Sequence, residues 1–184
     1  ANITEEQNVL AIPIKQAVNK GTQKLIVIDA RETELTRYAS IWARPYPGTD
    51  LMLLGGILKV IIEEDLIDSD FVNLQCDGFD ELVKSVSGFD INDVEEQTGV
   101  SVSKIQEIAH LYSESKASLI AYALDNSIGG TRRVTTHVIA DLAAVTGNIG
   151  KPSTGVIPLR HGANDQGQLD MGAEARLLPG QRHV

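Results

Sequence analysis

Cysteine is almost missing: the 184-residue chain holds one, Cys76. A single thiol excludes an internal disulfide and any metal cluster built from this chain's own cysteines. Basic residues are outnumbered, 16 Lys and Arg against 25 Asp and Glu, for a formal charge of -9. That balance argues against a nucleic-acid surface, because binding phosphates needs clustered Lys and Arg. Long apolar runs are lacking too. Leu51 to Ile62 is broken by Gly55, Gly56 and Lys59, and it falls short of the roughly 20 residues that span a bilayer. The start, Ala1-Asn2-Ile3-Thr4-Glu5-Glu6, is polar and acidic, unlike a secretory leader; with one thiol this gives a cytoplasmic reading. A first residue that is Ala suggests a processed product or a piece of something longer. Neither G-x-G-x-x-G nor G-x-x-x-x-G-K-[ST] occurs, so the common phosphate-binding fingerprints are absent. Of the four histidines, His110 is expected on or beside the core face of its helix, in a structural role. His137 has only Asp141 at i+4, which is thin support for a metal. Cys76 has no histidine near it in sequence, and nothing assembles a triad.

What remains is an ordinary globular chain, 42% hydrophobic and 22% charged, long enough to bury a core. Thr4 and Gln7 read as a capping box before a helix over Val9 to Val18, in which Pro13 should cause a kink. Leu25 to Ile28 is a continuous β-favouring run, the pattern of a strand buried on both faces. Ile41 to Arg44 is a weaker strand. Thr49 to Glu64 is apolar nearly all round, predicting a helix buried between layers. Short surface helices follow over Asp68 to Gln75, Gly78 to Ser85 and Ile91 to Gln97. Ser101 to Lys116 is amphipathic, Ser118 to Ala123 a second buried strand, and Thr131 to Val145 a helix closed by Gly147. Beyond Gly150 the chain reads as loop. Strands alternating with helices imply a parallel α/β sheet covered on both faces. Ligands of such sheets bind outside the carboxyl ends of the strands, where Asp29 and Asp125 would lie.

Two acidic residues stand at turning points. Asp29 ends the first strand and would either accept hydrogen bonds from a ribose or base, or form a plain Asx-turn. Asp50, in Pro47-Gly48-Thr49-Asp50, would either help cap the next helix or offer two acceptors to the adjacent N–H donors of guanine. The stretch Thr146 to Gly172 holds glycines among Arg160, His161, Asn164, Asp165 and Gln166. Close backbone approach beside neutral amides suits a polar ligand held by many hydrogen bonds.

The runs "LIVIDARETELTRYASIWARPYPGTDLMLLGGILKVIIEEDLIDSDFV", "TGVSVSKIQEIAHLYSESKA" and "LAAVTGNIGKPSTGVIPLRHGANDQGQLDMGA" resemble the molybdopterin oxidoreductases of the dimethyl-sulfoxide-reductase superfamily, most of all formate dehydrogenase α subunits. The resemblance spans essentially the whole chain. It implies a Rossmann-like parallel sheet with helices on both faces, lacking its first strand and the parent's other domains. Residues 1–158 would be the dinucleotide-binding domain, and 159–184 a polar glycine-rich tail leading into the next one. It further implies a bis-molybdopterin guanine dinucleotide with molybdenum or tungsten, and an iron–sulfur cluster elsewhere in the parent. Asn2 would reach the dinucleotide; Asp29, Ala30, Arg31, Glu32 and Thr33 would contact the guanosine; Gly48, Thr49 and Asp50 would read guanine. Arg160 would lie toward the metal, as the candidate catalytic residue.

The match departs in places. Ala30 stands where those dehydrogenases usually carry Pro, and Ala121 to Ser127 and His161 to Gly167 differ from the family's usual segments. The implied activity is formate oxidation to carbon dioxide, with electrons passed to the cluster and then to electron-transfer subunits. The alternatives are the large subunit of an NADH–quinone oxidoreductase and a stand-alone, non-catalytic nucleotide-binding module. The partners implied are the remaining parent domains and a small substrate such as formate, with no nucleic acid and no membrane insertion.

Overall fold

The computed structural model describes residues 2–123, 131–159, 164–173, 177–180 and 182–183. The chain opens with α1 (Ile3–Glu6) and α2 (Asn8–Asn19). Gln7 precedes α2 without a side-chain cap bond, and the Thr4 hydroxyl donates to Asn2 Oδ1 at 2.6 Å. Pro13 lies inside α2 without ending it.

Next come β1 (Ile26–Ile28), a 3-10 turn (Glu34–Tyr38) and β2 (Ile41–Ala43). β1 and β2 run parallel, with Ile26 opposite Ile41 and Ile28 opposite Ala43. All three residues of β1 are half-buried rather than buried on both faces. The strand has one hydrogen-bonded neighbour among the described residues, and it is Ile26 and Ile28 that pack on the core.

The core is organised around α3 (Asp50–Glu63). Leu53, Ile57, Leu58, Val60 and Ile61 are all buried, as a helix apolar on every side requires. Around it stand α5 (Phe79–Ser87), α6 (Ile91–Thr98), α7 (Val102–Ser113) and α8 (Thr131–Val145), while α4 (Ser69–Gln75) packs on α8. Close approach is possible because two helical glycines leave room. A Cβ on Gly55 would come within 3.1 Å of the Phe89 ring, and one on Gly56 within 2.8 Å of Val94 Cγ1. Asp68 and Asp90 cap α4 and α6 through their carboxylates, accepting from Phe71 N and Asn92 N. Lys59, mid-helix in α3 and buried, keeps its charge paired with Glu63 Oε1 at 2.5 Å.

β3 (Leu119–Tyr122) pairs in parallel with β4 (Gly155–Pro158), Leu119 opposite Gly155 and Tyr122 opposite Pro158. This strand sits in the region expected to be loop. Val156 and Ile157 are too short a run to stand out, and Pro158 is tolerated because it closes the strand. The tail adds α9 (Asp165–Asp170) and a short antiparallel pair, β5 (Leu177–Leu178) with β6 (Arg182–His183).

The chain is thus a mixed α/β structure with parallel strands, as expected. Among the described residues those strands form two separate two-stranded pairs, not one continuous sheet. No helix among them is long and apolar enough to cross a membrane.

Candidate functional site

Parallel pairing puts the carboxyl ends of β1 and β2 on one edge, and two chain segments leave from it. The first is Asp29 to Thr33. The Asp29 N–H extends the ladder to Ala43 O at 3.2 Å. Its Oδ1 then accepts the Arg31 N–H at 2.8 Å, with the Arg31 Nε 3.7 Å away. The Asx-turn therefore exists, and it fixes the carboxylate at the strand edge with one oxygen engaged. Glu32 is exposed and Thr33 half-buried; the Thr33 carbonyl accepts from the Thr36 hydroxyl at 2.7 Å.

The second segment leaves β2 through Arg44, Pro45, Tyr46, Pro47 and Gly48 and enters α3 at Asp50. Gly48 holds φ +86, a conformation that side chains with a Cβ rarely adopt. The Tyr46 N–H donates to Thr98 O at 2.9 Å, anchoring the turn to the end of α6. There Gly99 leaves space that a Cβ would take, 2.7 Å from the Tyr46 ring. The Thr49 hydroxyl donates to Tyr46 O at 2.7 Å, and α3 begins without a side-chain cap bond. The capping role open to Thr49 and Asp50 is therefore not taken up.

Asp50 is half-buried in the first turn of α3. Burial pushes its carboxyl above the ordinary range; its own N–H opposes this, and the negative charge of Asp29 adds to the rise. The two carboxylates are thus electrostatic neighbours. An acid-lined edge of this kind favours a ligand that brings hydrogen-bond donors.

Not every expected residue converges. Asn2 is half-buried with its side chain bonded to Thr4, and among the described residues no hydrogen bond or ion pair joins Asn2, Glu32 or Thr33 to Asp50. Arg160, Asp125 and His161 lie outside the described residues. Asn164, just before α9, and Gln166, within it, are exposed, and Gln166 Nε2 donates to Asp170 Oδ1 at 2.9 Å.

His110 lies beside the core face of α7, next to buried Ala109: its ring is half-exposed, with Nε2 2.6 Å from Glu64 Oε2 and Nδ1 2.9 Å from Glu114 Oε1. His137 and Asp141 are close enough for the imidazole to oppose the rise that burial causes in the Asp141 pKa. Among the described residues no group of three or more His, Cys, Asp or Glu is placed to hold a metal.

Sequence reasoning missed two residues. Trp42 Nε1 donates to Asp29 O at 3.0 Å, and Arg44 Nε to Ala30 O at 2.9 Å. The available signal was their position: the chain's single tryptophan and an arginine flank the exit of β2.

The fold and this edge define an α/β domain whose ligand would lie across the carboxyl ends of parallel strands. The chain belongs to the molybdopterin oxidoreductase family: the model for "Molybdopterin oxidoreductase" matches residues 1–181. Over its whole length it is 36% identical to formate dehydrogenase H of Escherichia coli (strain K12), spanning 26% of that protein. It is 35% identical to the F420-dependent formate dehydrogenase 1 subunit alpha of Methanococcus maripaludis, spanning 27%. The assimilatory nitrate reductase catalytic subunit of Bacillus subtilis (strain 168) is 34% identical, again with 26% covered. The chain thus spans about a quarter of the length of these relatives. Among solved structures, acetylene hydratase from Pelobacter acetylenicus superposes with a TM-score of 0.74 and 31% identity, over 83% of this chain and 21% of that one.

Proposed function

We propose that this chain is the guanine-dinucleotide-binding part of a molybdenum or tungsten oxidoreductase acting on formate. The observation that carries the reading is the convergence of Asp29 and Asp50 on one strand edge. The residues present fit the group. Asp50 makes no bond to another residue's N–H as a helix cap, and Asp29 has one oxygen held in a turn. A guanine ring offers adjacent N–H donors to Asp50, while a ribose hydroxyl suits Asp29. Gly48 sets the turn that delivers Thr49 and Asp50; Ala30, Arg31, Glu32 and Thr33 continue the guanosine side. Asn2 would touch the dinucleotide and Arg160 would approach the metal.

The molybdopterin group, as the bis-guanine dinucleotide, would supply the two-electron redox chemistry. This chain's part is to bind and orient one end of it. Residues 1–158 would serve as the binding domain and 159–184 as the lead into the next. An iron–sulfur cluster, electron-transfer subunits and a cytoplasmic location complete the proposal.

Formate is favoured as substrate by the formate dehydrogenases among the relatives. A second reading, reduction of an oxyanion such as nitrate, is supported by the similarity to an assimilatory nitrate reductase.

The test is titration calorimetry with guanosine and adenosine diphosphates. Guanosine diphosphate should bind in preference. A hydrogen bond to a charged group is worth about 1.5–3 kcal/mol, so Asp50→Ala should weaken that binding by about tenfold or more. Equal affinity for both nucleotides would overturn the reading.

A further inference from the structure

We infer that Trp42 and Arg44 are positioning residues that latch the Asp29–Arg31 segment into the shape the ligand meets. The purpose of the latch rests on the guanosine reading above; its existence does not. The β1–β2 register ends at Ile28 opposite Ala43, so a chain leaving β1 would ordinarily become solvated loop after one more rung. Here the rung is made, Asp29 N to Ala43 O at 3.2 Å, and two side chains then take over from the ladder. The indole N–H of Trp42 donates to the Asp29 carbonyl at 3.0 Å, and Arg44 Nε donates to the Ala30 carbonyl at 2.9 Å. With the Arg31 N–H on Asp29 Oδ1 at 2.8 Å, four of the five backbone polar groups from the Asp29 N–H to the Arg31 N–H are satisfied inside the protein.

The two latches brace each other. The Arg44 guanidinium carbon lies 5.8 Å from the centre of the Trp42 ring, within the range of a cation–π contact. The backbone of Trp42 is in turn tied to α7, its carbonyl accepting from Lys104 Nζ at 3.2 Å. An indole N–H usually finds a partner when half-buried, so the plain alternative is that Trp42 satisfies itself and nothing more. Against it stands the pairing of targets: two side chains from one strand exit bond two successive carbonyls of one segment. A carboxylate on a free loop would have to be ordered at each binding event, whereas a latched one has that ordering in place.

Hydrogen exchange measured by NMR on the full 184-residue chain tests the latch without a ligand. In Trp42→Phe and in Arg44→Ala the Arg31 amide should exchange roughly threefold to tenfold faster, the range set by the net worth of one hydrogen bond. The amides of Leu53 to Ile61 in α3 should not change. Arg44→Lys, which keeps one donor, should recover part of the protection. Guanosine diphosphate binding should weaken by about the same factor in both loss variants. Because Trp42 is the chain's single tryptophan, its fluorescence should change on binding in the wild type. Unchanged Arg31 exchange in both variants overturns the latch, as does acceleration spread evenly into α3. If the wild type binds no guanosine diphosphate, the guanosine reading falls while the exchange result still decides the latch.

Discussion

Asp29 and Asp50, far apart in sequence, lie close enough at the carboxyl edge of the β1–β2 pair that the charge on Asp29 adds to the rise in the Asp50 pKa. The Asp50 carboxylate is not placed for stability. Burial disfavours the ionised form of Asp50, and a like charge nearby disfavours it further. Sites that hold such strain are candidates for ligand binding, because the ligand supplies the compensation that the fold omits.

Stability and binding should therefore move in opposite directions at Asp50. Its folded pKa is raised above the ordinary 3.8, so between the unfolded and folded values the native state holds the extra proton. Stability then falls as pH rises through that window and stays lower above it. Asp50→Asn should melt higher than the wild type at pH 7, with the gap closing as pH falls toward 3.8, the ordinary value. The same variant should lose guanosine diphosphate affinity by about tenfold or more. Thermal melts across a pH series, paired with calorimetry, check both arms; a variant less stable at pH 7 would sink the account.

His110 should titrate high. Each ring nitrogen lies within hydrogen-bond distance of a carboxylate oxygen, Glu114 on one side and Glu64 on the other. Only the imidazolium donates from both nitrogens. The bond to Glu114 and then that to Glu64 raise the pKa above 6.5. For a raised histidine, the stabilising contribution is fully present below the unfolded value and is lost as pH rises through the folded one. An NMR titration of the His110 ring should give a midpoint above 6.5, lowered by Glu114→Gln and by Glu64→Gln. A midpoint at or below 6.5 in the wild type would remove the bridge between α3's end and α7.

The parts of this fold that were legible in the sequence are those that one local pattern controls. α3 was readable because a helix apolar on every side has to be buried. The strand-end place of Asp29 was readable because parallel strands deliver their carboxyl ends together, whereas its pairing with Asp50 rested on the family resemblance. β4 was not, since its pairing with β3 arises from tertiary contact and its apolar run is two residues long. The His110 bridge was not, because Glu64 caps the end of another helix and the ring's surroundings are set by how α3 and α7 pack. Trp42 and Arg44 were not, because their partners are backbone carbonyls, which carry no sequence signature.

The packing of α3 on α6 offers a sharper test of the core. A Cβ at Gly56 would sit 2.8 Å from Val94 Cγ1 and 3.3 Å from Cγ2, and Val94 is fully buried with no room to retreat. Replacing a helical glycine by alanine gains about 1 kcal/mol in propensity, whereas overpacking a well-filled core costs about 1–3 kcal/mol. With a rigid β-branched neighbour the clash should win, so Gly56→Ala should destabilise by about 1 kcal/mol net. Val94→Ala removes the two methyl groups in question and should cost about 2 kcal/mol on its own. Combined, the two changes should cost clearly less than their sum, because the new methyl occupies part of the space the valine vacates. A coupling of about 0.5 kcal/mol or more is expected for side chains in contact. Urea unfolding of the four proteins, at unchanged m, measures it. Strict additivity would mean that α3 and α6 shift apart to admit the alanine, and that Gly56 is not what allows their close approach.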